Sequence, residues 1–87
     1  MKLVQADNRG FVMVFSLKGR EYLLIYTKAG CYRGGHSHEA KQLNTLLSGS
    51  IMWNDTFYSN VFSIETEPNV YHRMLSITDS LMVEVKG

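Results

Sequence analysis

Apolar residues come along this chain in short runs, and turn-forming residues cut the runs at intervals of about ten residues. Lys2 to Gln5 reads as an edge strand, and Asp7-Asn8-Arg9-Gly10 follows it with strong turn chemistry. Phe11 to Leu17 is β-branched and aromatic, and too short for a stable helix. Lys18-Gly19 ends that run, Arg20 to Thr27 gives the next strand, and Lys28-Ala29-Gly30 closes it. Farther on, Phe57 to Thr66 alternates loosely, while Val70 to Ser76 and Ser80 to Val85 form two strands around Thr78-Asp79. The lone proline, Pro68, stands at a turn. No amphipathic stretch predicts a helix longer than about ten residues, and no repeat or low-complexity linker divides the chain. This rhythm belongs to an antiparallel sandwich or barrel.

Residues 39–47 carry two patterns at once. Ala40, Leu43 and Leu47 fit a helical stripe. Alternation instead places Leu43, Thr45 and Leu47 on one face of a strand, with Gln42, Asn44 and Leu46 on the other. The strand is the preferred reading. Ser48-Gly49-Ser50 then turns tightly into Ile51-Met52-Trp53, so 41–54 is expected to be a hairpin.

Composition narrows the class. The 87 residues suit one domain, and 45% hydrophobic with 11% aromatic residues can fill a small core, which excludes wholesale disorder. Nine basic residues against eight acidic give a net charge of +1 with no basic stripe, which argues against a nucleic-acid surface. The first ten residues carry charge where a secretory signal needs an apolar run, and no window approaches a membrane span. A single cysteine, Cys31, cannot form an internal disulfide and reads as a packed thiol. The expectation is a cytoplasmic domain with no membrane or nucleic-acid partner, and its small core predicts a homodimer.

The chemistry gathers around three histidines. His36 and His38 follow the glycine pair Gly34-Gly35. On a strand their two-residue spacing puts both imidazoles on one face, about 7 Å apart at the backbone, from where both reach one atom. On a helix they would point about 200° apart. His72 follows Pro68 and Asn69, an asparagine that tolerates a left-handed turn. At these residues the chain resembles the cupin superfamily. The first cupin motif is a glycine, five residues, His-x-His, three or four residues, a glutamate, six residues and a glycine. Here that runs Gly30, five residues, His36, Ser37, His38, three residues, Gln42, six residues, Gly49, with glutamine in the glutamate's place. Glu67-Pro68-Asn69-Val70-Tyr71-His72 resembles the second motif, with Asn69 where glycine is usual.

The resemblance implies an all-β fold, an antiparallel β-barrel or double-stranded β-helix of the jelly-roll kind, as one domain over 1–87. It implies a metal site of His36, His38, Gln42 and His72 in the barrel's mouth, holding a divalent transition metal such as Zn, Ni, Fe or Mn. Glutamine leaves the metal's charge uncompensated, which weakens the metal and favours an anionic small-molecule ligand, a small organic acid or sugar. Glu39 points the other way on a strand and is not a substitute ligand. Arg33-Gly34-Gly35-His36-Ser37-His38 also resembles the stretch of dTDP-sugar 3,4-ketoisomerases, cupins that work without metal. In that alternative the histidines move a proton, Tyr26 assists and Arg33 grips the sugar or phosphate. A cupin that binds without turnover is a third reading. Tyr22, Tyr26, Trp53, Phe57 and Met74 are expected to line or fill the barrel.

Overall fold

The computed structural model describes the chain except His38, Gly87 and the side chain of His36. Its strands, in order, are β1 (Lys2–Asp7), β2 (Gly10–Leu17), β3 (Arg20–Thr27), β4 (Tyr32–His36) and β5 (Gln42–Ser48). They continue as β6 (Ser50–Trp53), β7 (Thr56–Ser59), β8 (Phe62–Thr66), β9 (His72–Ser76) and β10 (Ser80–Lys86). No helix occurs among the described residues, so none is long and apolar enough to cross a membrane. The ambiguous segment at 39–47 resolves as strand β5 from Gln42, and its alternation buries Gln42, Asn44 and Leu46.

All pairings are antiparallel and build two sheets. One has six strands in the order β1-β2-β3-β10-β5-β8, the other four in the order β4-β9-β6-β7. The sheets face each other as a jelly roll, and among the described residues no ladder joins them into a closed barrel. The barrel expected from the sequence is thus two packed sheets. Their shared core is Leu46, Ile64 and Met82 from the larger sheet against Ile51, Trp53 and Met74 from the smaller. Fully burying each such side chain stabilises by about 1.5–3 kcal/mol.

Two expectations about connections are corrected. The segment 41–54 is not a hairpin, because β5 pairs with β10 and β8 while β6 pairs with β7 and β9. At Gly49, with φ of +98°, the chain instead crosses from one sheet to the other, and a Cβ there would run into the Asp79 carbonyl oxygen. The run Phe57 to Thr66 is two strands, β7 and β8, in different sheets. Among the aromatics, Trp53 joins the core, whereas Phe57 is exposed and Tyr22 and Tyr26 lie on the outer face of β3.

Candidate functional site

Strand β4 reaches the site through glycine. Gly34 has a φ of +86°, and a Cβ on it would sit 2.9 Å from the His72 carbonyl oxygen, so a side chain would push β4 away from β9. Past a bulge after Gly34, the ladder pairs His36 with His72. A turn delivers His72 from the other side. The Val70 N–H donates to the Glu67 carbonyl at 3.3 Å, and Asn69 adopts a φ of +64°. That left-handed residue after proline is what a type II turn requires, and asparagine supplies it in place of glycine.

His72 is 5% exposed. Its ring stacks on Trp53 with centroids 5.4 Å apart and planes within 3°. Its Nδ1 lies 3.4 Å from the Val70 carbonyl oxygen. A proton on Nδ1 directed at that carbonyl leaves Nε2 with the lone pair a metal needs.

His72 and Trp53 form one wall of a half-open cavity of about 410 Å³, the size of a small-molecule site. Met74 adds to that wall, and Asn44, Met82 and Glu84 face it from β5 and β10. The Asn44 Nδ2 donates to Glu84 Oε1 at 3.0 Å, with Met82 Sδ at 3.4 Å, while Asn44 Oδ1 is buried without a partner among the described residues.

Arg33 is one of three cations in the cavity's lining among the described residues, with Arg9 and Lys86. Its Nε donates to Thr27 Oγ1 and its Nη2 to the Tyr26 carbonyl oxygen, both at 3.0 Å. Desolvation, with Arg9 nearby, lowers its pKa from the usual arginine value, but a guanidinium stays charged. Arg9, also in the lining, is clamped by Asp7 at 2.7 Å. The Arg9 side chain's hydrogen bonds hold the Asp7 carboxyl down to about 2. Asp7 is thereby committed to Arg9. Arg33 is left as a half-buried cation that donates to two neutral oxygens.

The expected ligand positions fall as follows. His72 is in the cavity wall, and His36 stands opposite it in the ladder. His38 lies outside the described residues. Gln42 shares the inner face of β5 with Asn44, one inward position beyond the cavity's lining. It is 1% exposed, and neither its Oε1 nor its Nε2 has a hydrogen-bond partner among the described residues. A buried amide left unsatisfied costs about 1–3 kcal/mol, so a ligand for it is expected. An amide oxygen and an imidazole nitrogen are each donor types that suit a divalent transition metal. Tyr26 does not belong to this group. Leu23 and Ile25 line the cavity from β3, so alternation turns Tyr26 outward, where its hydroxyl donates to Asp79 Oδ2 at 3.1 Å. Asn44, Glu84 and Arg9 are site residues that the motifs alone do not mark; the strand alternation that buries Gln42 is the signal for Asn44.

This architecture is shared with solved proteins. An RmlC-like cupin from Shewanella frigidimarina superposes with a TM-score of 0.86 at 13% identity, over 98% of this chain and 81% of that one. The chain has the cupin fold. KdgF from Halomonas sp. is similar at a TM-score of 0.85 and 12% identity, over 99% of this chain and 86% of that one. An acetylacetone dioxygenase from Acinetobacter johnsonii matches at 0.75 and 10% identity, over 88% and 59%. No family model matches the chain, and no curated protein matches its sequence. At these identities the likeness is one of fold.

Proposed function

We propose that this cupin is a cytoplasmic protein that holds a divalent transition metal, Zn, Ni, Fe or Mn, through His36, His38, Gln42 and His72. Its ligand or substrate is a small organic acid or sugar. The observation that carries the reading is the buried Gln42 amide without a partner among the described residues, at the motif position of a ligand. Its oxygen suits a cation, and its N–H groups suit an anionic oxygen bound beside that cation. When bound, the metal polarises a ligand oxygen as a Lewis acid.

The chain's own groups have separable roles. Arg33, fixed through Nε and Nη2, presents its remaining N–H groups to a carboxylate or acidic hydroxyls. Trp53, Met74 and Met82 pack against the carbon skeleton. Glu84, oriented by Asn44, is the carboxylate that accepts or returns a proton in the cavity.

Elemental analysis of protein purified without chelator or affinity-tag metal tests the reading. About one metal per chain is expected, and loss of it in His72→Ala with the β-sheet circular dichroism retained. No metal, and no uptake of Zn, Ni, Fe or Mn, removes the ligand set. Organic-acid binding that then still depends on Arg33 would assign the histidines to metal-free proton transfer.

A further inference from the structure

Two walls of the cavity ask opposite things of a ligand. The wall from β4 offers Arg33, whose remaining N–H groups suit a carboxylate. The facing wall, from β5 and β10, offers acceptors. Asn44 stands on the inner face of β5, in the row that sends Leu46 into the core, where an apolar side chain would pack without burying a polar group. It is 1% exposed and commits its Nδ2 to Glu84 Oε1 at 3.0 Å, which orients both side chains. Asn44 Oδ1 is then buried with no partner among the described residues. A carboxylate accepts at about four lone-pair sites, of which the Asn44 N–H fills one on Glu84. The wall thus holds two joined acceptors, and the donors that match them must come with a ligand.

We propose that the Asn44–Glu84 pair makes the cavity selective for acids with adjacent hydroxyl groups, the carboxylate on Arg33 and neighbouring hydroxyls donating to Asn44 Oδ1 and to Glu84. This selectivity rests on the reading of the cavity as a small-organic-acid site, and it narrows the substrate class of that same site. Charge decides between hydroxyls and the other strong donor, an ammonium. Arg9, Arg33 and Lys86 stand against Glu84 in the lining, and Asp7 offsets Arg9, so one positive charge is left over. A hydroxy acid brings one negative charge and neutralises that excess, whereas an amino acid is a zwitterion and leaves it in place. An acid without hydroxyls leaves Asn44 Oδ1 unmet, and a site built to bond a hydroxyl rejects the analogue that lacks it. Water on the pair would instead serve every acid alike.

Isothermal titration of the protein as purified compares gluconate, which carries hydroxyls on adjacent carbons, with hexanoate, the acid of the same chain length without them. Gluconate is expected to bind at least about tenfold tighter, although hexanoate buries more apolar surface against Trp53 and Met74. Asn44→Leu, at similar volume, is expected to weaken gluconate about tenfold and to leave hexanoate within about twofold. Glu84→Gln guards against a folding defect in that buried variant, since Glu84 is half-buried and glutamine still accepts from Asn44. It is expected to weaken gluconate about fivefold with no loss for hexanoate. Arg33→Gln is expected to weaken both acids alike. Equal affinities for the two acids, or a Glu84→Gln that weakens both alike, overturn the selectivity and leave the acid site in place. Binding of neither acid, or binding that Arg33→Gln leaves unchanged, overturns the acid site itself and the selectivity with it.

Discussion

Gln42 concentrates the site's energetics in one side chain. Its amide is buried with no hydrogen-bond partner among the described residues, so a ligand that met its oxygen would offset the cost of burying it. Gln42→Met removes the polar atoms at similar volume. It is expected to stabilise the metal-free chain by about 1 kcal/mol, a rise of roughly 5 °C in melting temperature, while abolishing metal uptake. Gln42→Glu does the reverse. An added negative charge beside the cation is expected to tighten metal about tenfold or more in a chelator competition, and to destabilise the metal-free form as an unpaired buried carboxylate. If neither substitution changes metal affinity, Gln42 is not a ligand. Motif spacing marked His72 and Gln42 as inward positions, and both are buried, because the spacing encodes which strand positions face inward. The resemblance offered Tyr26 to the site, but strand parity turns its side chain to the opposite face from Ile25 and Thr27. Asn44 was legible by the same parity as Gln42, yet nothing local distinguishes a polar cavity wall from a solvated face.

At the scale of elements, the strands and turns were legible because each run ends in residues with a definite turn chemistry. Pairing was less so. Ser48-Gly49-Ser50 has the composition of a hairpin, but β5 finds its partners in β10 and β8, which are remote in sequence. Gly49 makes that crossing, and its positive φ and contact with the Asp79 carbonyl oxygen leave no room for a side chain. Gly49→Ala is expected to lower the unfolding free energy by about 2–4 kcal/mol in urea titration. Asp79 also ties the β3–β4 connection to the β9–β10 turn, accepting from the Ala29 N–H at 2.9 Å and from the Tyr26 hydroxyl. The Ala29 N–H, followed by Tyr26, lowers its carboxyl below the ordinary value. A depressed carboxyl contributes stability above its unfolded value, near pH 4, and loses it as pH falls through the folded value. Asp79→Asn is therefore expected to melt lower than wild type at pH 7, with the two curves converging in strong acid. A gap that persists unchanged there would assign the effect to hydrogen bonding alone.

Over the whole molecule, polar groups take space that a core of this size would otherwise use. Among the described residues, six buried apolar side chains hold two sheets together, while Gln42, Asn44, Thr27 and Ser76 are also buried. A chain of this length has about 4–13 kcal/mol of stability to lose. Leu46, fully buried between the sheets, is where loss is most damaging, and Leu46→Ala is expected to cost about 2–5 kcal/mol. At a fixed chain concentration, that change leaves the metal-free variant partly unfolded near 37 °C. Metal that binds only the folded state adds about 2.7 kcal/mol at a hundredfold excess over its dissociation constant. Adding the metal the wild-type protein carries is thus expected to restore the cooperative transition of Leu46→Ala, followed by circular dichroism. The same addition leaves Leu46→Ala/His72→Ala unfolded, because the folded state no longer has the higher affinity. Equal rescue of both variants would mean that the cation acts elsewhere on the chain, and that the cavity's polarity serves its organic ligand alone.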